Sequence, residues 1–410
     1  MNLNVLPFAN LSAIEEFNSI INTEDPKLLK LNQIECNLNK QKYKIIRYDK
    51  NILNIDLIPK YGLFRSVILN GNSVISFSPP KSIPTDFFIR KYSETQGNIR
   101  AEEFVEGTMI NLFWDNIAGI WEIATRNTVG ANTSFYKGNC NECITFRSMF
   151  FEAAAANNLI LENLNKLCCY SFVLQHPKNR IVVSFKKPEL YLVALYHIND
   201  VDKNNIVIYY HDMNEVRKYD WNIATIQFPK IYEFNNYTEL IEKYASMNTP
   251  YDIVGVVLYN SVTGERSKIR NPVYEQVKNL RGNQPKLQYQ YLCLRREDRV
   301  KEYLKYYPEN KKEFSEFRSQ LHLFTETLYY NYKACYIKKV KPLNDFSSQY
   351  KTHMYKIHEL FLNELREKKL FITKSHIINY VNNLHPSLLM YCLNFNMRKR
   401  SIDYIRADNE

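Results

Sequence analysis

Lys268 and Arg270 stand two residues apart in "SKIRNP". On an extended chain that spacing sends both side chains from one face, as a phosphate clamp requires and as a solvated strand face equally shows. Two further guanidiniums stand in "WEIATRN" (Arg126) and "HPKNRIVV" (Arg180), the second beside Asn179, where it could do no more than tie a strand end. In "AEEFVEGTMI", Phe104, Glu106 and Gly107 fall within four residues, and Gly107 can supply a backbone turn closed to other residues. Metal-ligand spacing is missing. Cys140 and Cys143 form the single CxxC, with no second CxxC or HxxxH to complete a zinc site. Beyond residue 275, His353 and His358 make a loose pair, and His322, His376 and His385 stand apart. These histidines read as surface or core, and no metal is expected.

The charge is unevenly placed. Of a net +11, residues 275–410 carry 25 Lys and Arg against 15 Asp and Glu, while residues 1–274 carry 29 and 28. A basic segment attached to a neutral body suits a polyanion, most simply RNA, with Arg295, Arg296, Arg398, Lys399 and Arg400 as backbone contacts. A Lys-rich, solvated helical surface gives the same count. With 410 residues and 45% hydrophobic content the chain can bury a large core in two or three domains. No apolar run reaches membrane-spanning length, the start lacks signal-peptide character, and the eight cysteines are irregularly spaced. A cytoplasmic protein with reduced thiols and no membrane partner is expected.

The elements that must position these residues change character along the chain. Residues 1–40 are expected to be an N-terminal helical segment. From about 41 to 274, short β-branched and aromatic runs alternate with turn signals, the pattern of antiparallel hairpins. In "RSVILNGNSVISF", Asn70-Gly71 marks a type I′ turn. "ITFRSMFFEAAAANNLILENL" reads as an inserted helix. From 275 to 410 the spacing of Phe314, Phe317, Leu321, Phe324 and Leu328, and of Tyr350, Met354, Ile357, Phe361 and Leu365, predicts amphipathic helices with aromatic stripes turned to the core. The fold class is therefore α+β, with an all-α domain at the end.

Five blocks in the body, in order, resemble the covalent nucleotidyltransferase superfamily, specifically the RNA ligases of phages and viruses. DNA ligases and capping guanylyltransferases are its wider kin. "FVEGTMI" resembles the opening KxDG block, with Phe104 in the lysine slot. "WEIATRN" resembles the following Thr-Lys/Arg block through Thr125 and Arg126, and "FVLQHPKNRIVV" the Phe-Glu-x-x-x-Pro-x-Asn-Arg-Ile-Val block, with Val173 in its acidic slot. "DIVGVV" resembles Glu-Gly-Val-Val with Val254 for the glutamate, and "SKIRNPVY" the closing Lys-x-Lys block through Lys268 and Arg270.

The resemblance implies an ATP-grasp-like ligase body of antiparallel sheets, two of them packed about a central cleft. Phe104, Glu106, Gly107, Arg126, Arg180, Lys268 and Arg270 are expected to line it. It also implies a divergent, large-DNA-virus type of member, acting in the cytoplasm of an infected cell. A ligase lysine stores the nucleotide as a phosphoramidate, which phenylalanine cannot do. With the carboxylates at 173 and 254 also replaced, the expected function is RNA binding. The cleft then holds a nucleotide, RNA 5′ end or cap-like group without covalent chemistry. Two alternatives stay open. One is an active ligase or guanylyltransferase with ATP or GTP and Mg and a lysine from elsewhere, Lys81 or Lys91 being within reach. The other is a protein-interaction scaffold.

Overall fold

A computed structural model describes residues 5–22, 26–93, 97–134, 144–200, 205–284 and 286–397. The chain divides into two compact units, Met1–Lys278 and Asn279–Glu410. The division falls inside the helix Pro272–Arg281, a few residues beyond the expected Tyr274.

Among the described residues the first unit contains three antiparallel sheets. The largest orders β1 (Val5–Asn10), β11 (Val207–His211), β10 (Glu189–Asn199), β9 (Cys168–Gln175), β7 (Thr108–Asp115) and β8 (Ile120–Ala124). A second orders β12 (Ile231–Tyr232), β6 (Ile99–Glu103), β13 (Gly255–Asn260) and β14 (Arg266–Arg270). The third is the meander β2 (Leu29–Glu35), β3 (Lys42–Tyr48), β4 (Val67–Asn70) and β5 (Ser73–Phe77). Alternation along each strand explains the layering. In β13, Val256 and Leu258 are fully buried with Ala101 and Ile269 against residues of the helices Thr85–Lys91 and Tyr237–Tyr244. That leaves Gly255, Val257 and Tyr259 on the opposite face. In β9, Phe172 packs on Phe150 of the inserted helix Phe146–Ala156, whereas Ser171 and Val173 face the other way.

Two expectations are corrected. Residues 1–40 are not a helical segment: β1 and β2 flank the short helix Glu15–Ile21. Tertiary pairing overrides local preference here, because β1 completes the edge of the large sheet with Val5 opposite His211. The β4–β5 turn is also displaced by one residue. Asn70 pairs with Ser73, so Gly71-Asn72 is the loop, and Gly71 alone has a positive φ (+58°), the arrangement of a type II′ turn. Asn70 stays in the strand because its buried amide donates to Asp115 at 2.9 Å, and Asp115 also accepts from Tyr43 at 2.6 Å.

The described part of the second unit is helical throughout, including Leu287–Arg296, Lys311–Tyr332, Ser348–Leu360, Lys374–Asn383 and Pro386–Leu393. Its aromatic stripes are core. Phe314 stacks on Tyr303 at 5.0 Å and Phe324 on Tyr350 at 5.3 Å, and Leu328, Met354 and Ile357 are fully buried. Among the described residues no helix is long and apolar enough to cross a membrane.

Candidate functional site

Strand register assembles the site. Val257 pairs with both Glu102 of β6 and Lys268 of β14, and Tyr259 pairs with Arg100 and Arg266. Residues in register share a face, so each pairing makes a row across three strands. Gly255, opposite Arg270, has no side chain to fill the row, and its carbonyl accepts the Phe104 N–H at 3.2 Å. The rows form one wall of a cavity of about 250 Å³. Met109, Val173 and Val193 of the large sheet form the other, and Arg65 also lines the cavity.

The cavity is cationic. Arg65, Arg266, Lys268 and Arg270 line it, against Glu102 and Glu103. Glu102 is already neutralised by Arg100 at 2.9 Å and Arg217 at 3.0 Å. Glu103 accepts the Lys230 N–H at 3.2 Å. Arg266 is tied to the Pro79 and Pro80 carbonyls at 3.0 and 2.6 Å, and Arg270 pairs with Glu275 at 3.0 Å. Among the described residues Lys268 has neither kind of partner; its ammonium nitrogen lies 4.5 Å from the centre of the Phe104 ring, with the Arg270 guanidinium at 5.7 Å. Burial, then Arg266, Arg65, Arg270 and Lys81, hold the Lys268 amine well below the ordinary lysine range. Burial and the same neighbourhood bring the Arg65 guanidinium down to about 10.

A second, more open cavity adjoins the first through Arg65, Gly107 and Met109, which line both. Its rim carries Arg126, Thr125 and Thr128, with the Arg126 guanidinium 4.9 Å from the centre of the Tyr48 ring. The Arg126 Nε is buried without a hydrogen-bond partner among the described residues.

Not every expected residue faces these cavities. Phe104, Gly107, Lys268 and Arg270 meet in the first and Arg126 in the second, but Glu106 and Arg180 line neither. They build a clasp instead. The Glu106 carboxylate accepts the N–H groups of Val182 at 2.7 Å and Val183 at 3.1 Å. The Asn179 amide donates to Thr108 at 2.9 Å, and Arg180 Nε donates to the Val182 carbonyl at 3.0 Å. Between Glu106 and Thr108, Gly107 has φ +147°, and a Cβ there would meet the Leu174 carbonyl oxygen at 2.4 Å. The "EGT" and "PKNRIV" blocks thus fasten each other and hold β7 close to β9.

Val173 does line the cavity, whereas Val254 does not; its carbonyl accepts the Asn271 N–H at 2.9 Å. Lys81 and Lys91 line neither cavity. Lys81 donates to the Ser82 carbonyl at 2.9 Å and Lys91 pairs with Glu265 at 2.8 Å. In the second unit, Arg295 donates to Asn382 and Arg296 is exposed. Arg398, Lys399, Arg400 and the pair Cys140 and Cys143 lie outside the described residues.

The chain has counterparts among known proteins. The chain is 23% identical over 202 residues to an RNA ligase of Rhodothermus phage RM378, covering 44% of this chain and 45% of the relative. It is 25% identical over 283 residues to an immediate-early protein ICP-46 homolog of Invertebrate iridescent virus 6, covering 65% and 59%. The chain is a distant relative of RNA-ligase-type nucleotidyltransferases. It spans about half the length of these curated relatives, 45% and 59%. No protein-family profile matches it. Among solved structures it aligns with a Naegleria gruberi RNA ligase mutant with ATP and Mn, at TM-score 0.36, 14% identity and coverage of 60% and 76%. An archaeal ATP-dependent RNA ligase aligns at TM-score 0.37, 10% identity and coverage of 91% and 76%.

Arg65, Arg266, Glu102 and Glu103 are the charged cavity residues that sequence reading missed. The signal for Arg266 was present: it continues the two-residue spacing of Lys268 and Arg270 back along the same strand. Nothing in the sequence places Arg65 beside them.

Proposed function

We propose that the basic cavity holds the phosphate of a nucleotide or of an RNA 5′ end, cap-like ends included, without covalent transfer. The helical second unit then contributes diffuse contacts to the RNA backbone. The observation that carries this reading is Phe104: the lysine slot of the opening block holds an aromatic ring lying against Lys268 and Arg270. A phenyl ring has no lone pair with which to attack phosphorus, yet its face supports the cations that would meet a phosphate. The carboxylate inventory agrees. Magnesium needs hard oxygen ligands, and of the two carboxylates in the cavity Glu102 is held by two guanidiniums.

One observation favours a second reading. Lys268 is a desolvated amine in the same cavity, and a lysine of that kind is what nucleophilic catalysis uses. Incubation with α-labelled ATP or GTP and magnesium, then denaturing electrophoresis, separates the two. Non-covalent binding predicts no label on the protein. Label on the parent that disappears in Lys268→Met would establish the second reading and end the first.

Binding to RNA divides by unit in the same protein. Removing charge at Arg295, Arg296, Arg398, Lys399 and Arg400 is expected to weaken all RNAs alike and to flatten the salt slope by about 0.7 for each single-strand phosphate no longer neutralised. Changing Arg270 or Arg65 should instead reduce discrimination among triphosphate, capped and hydroxyl 5′ ends. Filter binding at several salt concentrations checks this. Equal effects of both variant sets on every RNA would mean that the cavity does not recognise ends.

A further inference from the structure

Cys168, His197 and His211 come from three neighbouring strands. Cys168 opens β9 and pairs directly with His197 in β10, and His197 pairs with Tyr209, two residues before His211 in β11. Alternation therefore puts all three side chains on one face of the large sheet. Val173 leaves the opposite face of β9 toward the basic cavity, five residues on, about 17 Å at the usual strand rise. The cluster is thus a separate place in the same unit.

Its geometry is that of a ligand set. One donor atom from each residue lies within 4.8 Å of the other two, and Cys168 Sγ is 3.5 Å from His211 Nε2. Tetrahedral zinc, with bonds of about 2.3 Å to sulfur and about 2.0 Å to nitrogen, holds such a pair about 3.5 Å apart. Cys168 and His211 are buried, 2% and 3% exposed.

We infer that Cys168, His197 and His211 form a three-ligand site for a zinc-type divalent ion, with the fourth position left to water or another donor. Two imidazoles and a thiol with no carboxylate suit zinc and not magnesium or calcium. Binding converts the Cys168 thiol to a metal-bound thiolate and releases one proton to solvent for each ion bound. The ion joins the ends of β9, β10 and β11, and its binding adds to the stability of the fold by mass action.

Cobalt(II) titration of the intact, EDTA-stripped protein tests this. One equivalent per chain is expected, with a sulfur-to-cobalt charge-transfer band and tetrahedral-type visible bands that zinc displaces. Cys168→Ser should remove the charge-transfer band. His197→Gln, at the least buried ligand, should weaken cobalt binding by at least about 10-fold, since losing even an outer partner of a metal ligand costs about 10–100-fold. Circular dichroism of each variant verifies that it folds. A Cys140→Ser/Cys143→Ser double variant should keep the band. A parent without a thiolate band, a band that survives Cys168→Ser, or one lost with Cys140 and Cys143 would overturn the inference.

Discussion

Replacing Glu106 with alanine is expected to lower the free energy of unfolding by about 2–6 kcal/mol, because it orphans two backbone donors at about 1–3 kcal/mol each. Those donors are the N–H groups of Val182, fully buried, and Val183, both of which meet the Glu106 carboxylate. Glu106→Gln keeps an acceptor and the volume, and should cost less than half as much. The pH dependence separates the charge from the acceptor. Burial is the largest influence on Glu106 and raises its carboxyl above the ordinary value, outweighing the N–H groups of Val182 and Val183 that pull it down. An acid raised on folding favours the folded state fully below its unfolded pKa of about 4.3, and that contribution is lost as pH rises through the folded value. The parent's stability relative to Glu106→Gln should therefore fall with rising pH above about 4.3. Urea unfolding of both proteins across that range measures it. A parent-minus-Gln difference that is flat with pH would show that the carboxyl is not raised.

The clasp explains why two sequence blocks about 70 residues apart were legible as a pair yet misleading about the site. Glu106 and Arg180 are spent on backbone groups of one loop, and Gly107 is needed because the Leu174 carbonyl occupies the space of a Cβ. Chemistry-bearing residue types therefore stood where the demand was structural. Lys268 and Arg270 lie on one face of β14, as their two-residue spacing requires, since alternation is local and the strand is regular. Arg65 was not legible, because its place depends on how the loop before β4 meets the second sheet. Cys168, His197 and His211 show the same limit more sharply. Their sequence separations carry no ligand motif, and the register of three strands brings them together.

The fold class was open to reading for a comparable reason. Helical spacing in 311–332 and 348–365 is a local property, and the buried Phe314, Phe324, Met354 and Ile357 follow it. The N-terminal strands were not, because β1 is an edge strand whose exposed Val5 and Leu6 give no alternating pattern. The turn at Gly71 shifted for a tertiary reason, the pull of Asp115 on Asn70. Each miss lies where a partner distant in sequence decides the outcome.

Lys268→Met is expected to make the protein more stable and less able to bind phosphate. The ammonium form of Lys268 is penalised by burial and by Arg266, Arg65, Arg270 and Lys81 around it. Unfolding relieves that penalty, so a methionine of similar length should raise the melting temperature by about 2–4 °C, as a gain of about 1 kcal/mol does in a unit of this size. The sign fixes the pH window. A lysine depressed on folding binds its proton more weakly in the folded state, so the destabilisation is full below the folded pKa. It vanishes as pH approaches the unfolded value of about 10.4. The advantage of Lys268→Met should shrink over that range. Binding should move the other way, because a bound phosphate would restore the lysine's missing counter-charge. Loss of one charge-assisted hydrogen bond, about 1.5–3 kcal/mol, weakens the ligand by about 10–100-fold. Inorganic triphosphate is a sufficient probe: it should raise the melting temperature of the parent more than that of Lys268→Met. Equal stabilisation of both proteins by triphosphate would place the anion elsewhere, and a destabilised Lys268→Met would mean that the amine is paired in solution rather than held for a ligand.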